Sequence, residues 1–191
     1  MDTSHRMNST NTTVNGWGND SAESNKKCEM NEWLNDGLSG GRSVFSYLPS
    51  ELQSIITPVK VLSQQGNVDN TFTYTPVVSV SKLFLLSSAE VFGVANADTS
   101  ANQGYISEIN KWASICTRNS SNSVTKITQY SRLTTNNIRI KRSSYGTGSA
   151  VHCWLRSPCS TSCFVHVASG GNSYVGNATA SGSVAPAFCT G

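Results

Sequence analysis

A chain of 191 residues fits a single domain, one that buries about two-thirds of the surface its unfolded form would expose. Charged residues make up only 13%, so the polar surface must be built largely from Ser, Thr and Asn. The net charge of +3 comes from scattered Lys and Arg, which excludes the clustered cations of a nucleic-acid-binding surface; no spanning helix is visible, and no signal peptide follows Met1-Asp2-Thr3-Ser4-His5-Arg6.

Residues 1–23 have the Asn, Ser, Thr and Gly content of a disordered arm, but Trp17 between two glycines argues that part of it packs. Residues 24–191 read as one domain. A helix is expected from Asn25 to Asn35, capped by Ser24 or Asn25 and stopped by Gly37, with Met30, Trp33 and Leu34 facing the core. Ser43 to Tyr47 is a short apolar turn. Pro49 and Ser50 open a second helix that buries Leu52, Ile55 and Ile56 and ends at Pro58. Val59 and Val61 begin a strand, Gln65-Gly66-Asn67 marks a turn, and Thr71 to Thr75 returns as a second strand. The continuous apolar run Lys82-Leu83-Phe84-Leu85-Leu86 is the candidate for a central buried strand.

Ser87 or Ser88 can cap the turn Ala89 to Phe92, closed by Gly93. A helix is expected near Tyr105 to Cys116, Val124 to Leu133 fits either helix or extended chain, and Ile138 to Lys141 alternates as a short strand. From Ala150 onward the pattern is short strands and turns: Val151 to Leu155, Phe164 to Val167, Ser173 to Val175 and Val184 to Phe188. Helices early and strands late give an α+β class.

Catalytic and metal chemistry is thinly represented. The histidines are His5, His152 and His166, and neither His152 beside Cys153 nor His166 after Cys163 sits in a nucleophile turn. Cys159, Cys163 and His166, with His152 or Cys153 nearby, are ligand types suited to zinc, but their spacing is not that of a common finger or ribbon, and neither a metal nor a cofactor is assigned. Six cysteines are too sparse for a disulfide-built scaffold, and buried or free thiols are the expectation. Trp154 and Arg156 read as structural residues that hold the base of the loop following them, with Arg156 pairing a carboxylate or satisfying loop carbonyls.

Beyond Arg156 the alphabet narrows. Ser157 to Gly191 contains no charged side chain, and Lys, Glu, Gln, Met and Trp are all absent. A codon beginning with two adenines and ending in a pyrimidine can never reach those residues when only its adenines change. A Ser-, Gly- and Asn-rich surface loop on a stable scaffold would show nearly the same alphabet.

The blocks Trp33-Leu34-Asn35, Leu48-Pro49-Ser50-Glu51-Leu52-Gln53, Lys82 to Ser87, Glu90-Val91-Phe92-Gly93, Trp154-Leu155-Arg156-Ser157-Pro158 and Val184-Ala185-Pro186-Ala187-Phe188-Cys189 together resemble a widespread family of phage and bacterial surface proteins. That family looks related to C-type-lectin-like domains of the formylglycine-generating-enzyme type, and some members resemble the variable proteins of diversity-generating retroelements. The resemblance implies a C-type-lectin-like fold with a variable segment over 159–183. It implies that Ser162, Cys163, His166, Ala168, Ser169, Gly170, Asn172, Tyr174, Val175, Gly176 and Asn177 are diversified contact residues. Trp154, Arg156, Phe164, Val167, Gly171, Ala178 and Phe188 would be the frame.

The functional expectation is a non-enzymatic binding protein of a phage tail or bacterial surface. Its partner would be a protein or glycan on a host cell, with no nucleic acid, no membrane insertion and self-association left open. A structural module without a ligand is the alternative, and a formylglycine-generating-type enzyme using Cys159 and Cys163 is a further one. Calcium-dependent sugar binding by the last segment is not expected, because Ser157 to Gly191 offers no carboxylate side chain.

Overall fold

The computed structural model describes residues 4–21, 24–92, 116–118, 124–127, 135–143 and 148–191. The chain opens with the short strand β1 (Ser4–His5) and the hairpin of β2 (Gly18–Ser21) and β3 (Ser24–Lys27). Helix α1 (Glu29–Asn35) follows, so the helix expected from Asn25 begins four residues later, with Cys28 rather than Ser24 or Asn25 at its N-cap. Met30 and Leu34 are fully buried and Trp33 packs against the same core. The Gly37 N–H bonds the Glu32 carbonyl at 2.7 Å and closes the helix as expected.

Helix α2 (Ser50–Ile55) is shorter than its expected stripe. Leu52 packs on the core, Ile55 is 48% exposed, and Ile56 is buried as the first residue of strand β4 (Ile56–Thr57) instead. The long hairpin of β5 (Val59–Val68) and β6 (Thr71–Ser81) comes next. Its turn lies at Asp69 and Asn70, both at positive φ (48° and 62°), and not at Gln65 to Asn67, where the register shifts by a bulge at Gly66. Asn and Asp tolerate the left-handed pair of angles that a two-residue hairpin turn demands.

The apolar run Lys82 to Leu86 is buried but is not a strand. A single bridge joins Phe84 to Ala187. Several other backbone groups are held by side chains: the Lys82 and Leu83 N–H groups donate to Asn35 Oδ1 at 3.0 and 2.8 Å, and the Leu85 carbonyl accepts from Arg156. Periodicity reports burial, and burial can be reached without a ladder. Helix α3 (Ser88–Phe92) then starts with a reciprocal cap, in which Glu90 N–H donates to Ser87 Oγ (3.1 Å) and Ser87 N–H donates to Glu90 Oε2 (2.7 Å).

Of the helix expected at Tyr105 to Cys116, residues 105–115 lie outside the described residues, and Cys116 begins strand β7 (Cys116–Arg118). β7 pairs with β8 (Val124–Ile127), which makes the first part of the ambiguous stretch extended; residues 128–133 lie outside the described residues, as does Gly93. Ile138 to Lys141 is not a strand: helical turn α4 (Asn136–Arg139) precedes β9 (Lys141–Arg142), which pairs with β10 (Ala150–Val151).

The last quarter builds the central sheet. β11 (Cys153–Pro158), β12 (Cys163–Val167), β13 (Ser173–Asn177) and β14 (Gly182–Ser183) join β1 in the order β1-β14-β11-β12-β13. Val184 to Phe188 is not a strand, and β15 (Cys189–Thr190) pairs with β4. Both faces of the central sheet are covered. Trp154 and Phe164 join Met7, Trp17, Met30, Leu34 and Leu85, while Cys153, Leu155, Val165 and Val167 pack on Val91 and Phe92 of α3. That two-sided burial is why Cys153 to Pro158 shows no alternation of polar and apolar residues.

These elements correct the expected class. The chain is mostly β-sheet with a few short helices, so it is neither α+β nor C-type-lectin-like. Among the described residues the α-helices have seven, six, five and four residues, too short to be stable without the packing around them. The stretches expected to lengthen them are extended chain.

One buried ion pair joins three of these parts. Arg156 of β11 donates through Nη1 and Nη2 to the two carboxylate oxygens of Glu90 at 2.6 and 2.9 Å. Its Nε donates to the Leu62 carbonyl of β5 at 2.9 Å and its Nη1 to the Leu85 carbonyl at 2.7 Å. Burial pushes the Glu90 carboxyl upward, but the Arg156 charge and the Ser87 hydrogen bonds outweigh it and hold the group below its ordinary range. Removing one partner strands the other, so Arg156→Ala should cost about 3–5 kcal/mol in a denaturant titration. Arg156→Lys should restore only part of that loss, because an ammonium cannot make the paired contact.

Candidate functional site

The candidate site lies where β12, β13 and their connecting turn meet the β14 side of the sheet. β12 and β13 pair antiparallel in continuous register, from Cys163 opposite Asn177 to Val167 opposite Ser173. The turn between them is closed by Ala168 N–H to Asn172 O and Gly171 N–H to Ala168 O, both 2.8 Å. Among the described strands β13 is an edge, and its residues are the most open of the sheet.

The proposed frame and contact residues sort by depth. Phe164, Val167, Gly171 and Ala178 are buried, as are Trp154 and Arg156, whereas Phe188 is 43% exposed and frames nothing. Of the proposed contact residues, Ser169, Gly170, Asn172, Tyr174, Val175 and Asn177 are exposed, with Tyr174 at 65%. Ser162, Cys163 and Ala168 are half-buried. His166 and Gly176 belong to the packed interior of the site rather than to its surface.

An aromatic cluster explains those two positions. His166 packs edge-on to Trp154 with ring centroids 5.3 Å apart, lies 5.0 Å from the ring of His152, and meets Tyr174 at 5.6 Å. The rings can press onto the sheet only because Gly176 carries no side chain. A Cβ there would stand 2.8 Å from Trp154 Cη2 and 3.2 Å from His166 Nδ1. Trp154 is held from its other side by a hydrogen bond from Nε1 to the His5 carbonyl at 3.1 Å, and His5 stacks on Trp33.

Beside the cluster opens a cleft of about 470 Å³ lined by both imidazoles and by Ser4, Ser169, Ser181 and Ser183. Among the described residues, no Lys, Arg, Asp or Glu side chain lines it. His152 Nε2 lies 3.0 Å from the Ser181 carbonyl, which makes that nitrogen the N–H of the ring. Burial pushes the His166 imidazole down to about 4, and the neighbouring His152 adds to the effect. His166 is therefore neutral at physiological pH, and its Nδ1 is buried without a hydrogen-bond partner.

His152, Ser181 and Ser183 were not among the expected contact residues. The sequence marks His152 as a neighbour of Cys153 and as a nearby zinc-ligand type, and no local pattern announces that residues 181–183 fold back beside it. The zinc reading fails on geometry. Cys163 and His166 stand three apart on one strand, on opposite faces of the sheet. Among the described residues, no three His, Cys, Asp or Glu side chains gather. Cys159 donates to the Cys163 carbonyl at 3.3 Å, while burial pushes the Cys28 thiol up to about 12 and that of Cys153 up to about 11.

A family described as a domain of unknown function (DUF6273) matches residues 7–190. No curated protein and no solved structure matches the chain.

Two outcomes follow from the cluster. Because the His166 pKa in the fold lies below the ordinary 6.5, the unfolded chain takes up a proton first as the pH falls. The melting temperature should drop between about pH 6.5 and pH 5, where Glu90 is still ionised, and His166→Gln should flatten that slope. Gly176→Ala should lower stability by about 1–3 kcal/mol through overpacking. Tyr174→Ala should leave stability within about 0.5 kcal/mol, as calorimetry of the two variants would show.

Proposed function

The chain belongs to the DUF6273 family, and we propose that it is a binding protein whose recognition surface is formed by the C-terminal segment 159–183. The observation that carries this reading is the separation by depth within one hairpin. Phe164, Val165 and Val167 of β12 and Ala178 are buried, whereas Ser169, Gly170 and Asn172 of the turn and Tyr174, Val175 and Asn177 of the edge strand β13 are exposed and uncharged. The buried strand carries the packing, and the exposed edge strand and turn are left accessible for contact.

The chemistry of that layer suits recognition. Tyr174 offers a rigid amphipathic ring with few torsions to fix, and Ser169 and Asn172 offer adaptable hydrogen bonds, as in antibody paratopes. Absence of charge makes the surface depend on shape and hydrogen bonding rather than on steering. The partner on this reading is a protein or glycan of a host cell surface, met by a phage tail or a bacterial envelope protein. The restricted alphabet after Arg156 further supports adenine-directed diversification of the segment.

Sequencing the DNA beside the gene tests the reading. The expected result is a near-copy of codons 159–183 that carries adenine wherever the two differ, next to a reverse-transcriptase gene. No such copy, together with identical codons in independent isolates, would overturn diversification.

A further inference from the structure

We propose that the His152–His166 cleft binds a neutral sugar ring, a hexopyranose unit presented free or at the end of a glycan. This rests on the reading of the C-terminal segment as a binding surface and names the chemistry of one part of it. Three observations carry it.

The first is the polar lining. The cleft of about 470 Å³ falls within the roughly 300–1,000 Å³ range of small-molecule sites. It combines the hydroxyls of Ser4, Ser169, Ser181 and Ser183 with two imidazoles and no formal charge. Phosphate, carboxylate and ammonium ligands find no counter-ion there, and burying any of them unpaired would be unfavourable. A ligand with many neutral hydroxyls matches donor to acceptor throughout.

The second is the state of the imidazoles. His166 is only 9% exposed and its Nδ1 is buried with no partner, so the ring edge it can present to the cleft is that of Nε2. A buried N–H without an acceptor is the costlier orphan, which puts the proton on Nε2 and makes that nitrogen a donor. In His152 the hydrogen bond from Nε2 to Ser181 O leaves Nδ1 as the acceptor. A donor and an acceptor on rings 5.0 Å apart suit adjacent hydroxyls of one sugar. The same state disfavours a metal ion. Ligation through His166 Nε2 would force the proton onto Nδ1, where nothing accepts it, and ligating imidazoles almost always donate their other N–H.

The third is Tyr174. It does not line the cleft, but its ring is 65% exposed and lies 5.6 Å from that of His166, which does, so a sugar that extends past His166 would meet an aromatic face able to cover the apolar side of a pyranose.

The three histidines make the test direct, because the imidazole 1H–15N spectrum holds three spin systems and His5, stacked on Trp33, serves as an internal reference. The full chain is titrated with methyl glycosides of glucose, galactose, mannose and N-acetylglucosamine, then with N-acetylneuraminic acid and with zinc chloride. The expected result is a saturable shift of the His152 and His166 signals with at least one neutral glycoside while His5 stays still. Tyr174→Ala should weaken that binding by about threefold to tenfold. Ala168→Phe, which fills the cleft from its wall, should abolish it, with an unchanged His5 signal and melting temperature certifying the fold.

No shift with any neutral glycoside up to about 100 mM overturns the proposal, as does a response confined to the acid or to zinc. The two readings fail separately. A template repeat without sugar binding leaves the segment a binding surface for another ligand, whereas sugar binding without a repeat leaves the cleft and removes diversification.

Discussion

A guanidinium buried in the middle of the molecule sets the geometry around it. Arg156 has five N–H donors in a fixed fork, and a buried charge is tolerable only when its donors are met and its charge is balanced. The acceptors come from three places in the chain: Leu62 on β5, Leu85 in the irregular run, and both carboxylate oxygens of Glu90. Each must arrive at its own angle, so β5, the Leu83 to Leu85 segment and α3 are positioned relative to β11 by one side chain. The Ser88 N–H bond to Ser157 Oγ at 3.0 Å and the Arg156 N–H bond to the Leu86 carbonyl at 3.0 Å lock the same junction. A pair of apolar residues could fill this space without desolvation cost, but would not dictate direction.

That junction determines what the sheet can present. With α3 held against Cys153, Leu155, Val165 and Val167, one face is closed, and Trp154 and Phe164 are committed to the main core on the other. The strand left free to face outward is β13. The close approach of Trp154 and His166 to it requires the bare backbone of Gly176, and that of His152 and Trp154 to β14 requires Gly182, where a Cβ would lie 2.5 Å from His152 Nε2. The cleft is the gap left beside those rings.

Parts of this arrangement were legible in the residues. Met30 and Leu34 spaced on a helix, the Ser87 and Glu90 cap, the strand pattern of Phe164 to Val167, and Arg156 as a partner for a carboxylate all follow from local rules. The class was not legible, and the reason is specific. Asn25 to Lys27 have no helical obstacle, yet pair as β3 with β2; Ile56 completes a helical stripe, yet turns out of the helix to meet Thr190. Leu83 to Leu85 has the composition of a strand and loses its ladder partners to Asn35 and Arg156. For Asn25 to Lys27 the deciding partner is the adjacent β2, a local hairpin that the helical reading passed over; for Ile56 and for Leu83 to Leu85 the partners lie far along the chain, and the local pattern holds no trace of them. The cleft was hidden for the same reason, since Ser4, His152 and Ser181 meet only after β1 and β14 pair.

The packing also constrains how such a segment could vary. A codon that begins with two adenines and mutates at them yields Tyr, Asn, Asp, His or Val as readily as Gly. At position 176 every one of these places a Cβ within 2.8 Å of Trp154 Cη2, whose ring is anchored to the His5 carbonyl and has no room to retreat. At position 166 the buried ring is boxed by Trp154, His152 and Tyr174, and a charged replacement there would be stranded. Two positions that the alphabet permits to change are therefore held by the fold. Of the other positions, Ser162, Cys163 and Ala168 are half-buried, and Ser169, Gly170, Asn172, Tyr174, Val175 and Asn177 are exposed, where a replacement would meet least of the packed interior. The exposed six lie on β13 and the turn before it; Ser169 also lines the cleft, so a change there would alter its wall, whereas Val175 and Asn177 lie on the face away from His166, where changes would leave the cleft untouched.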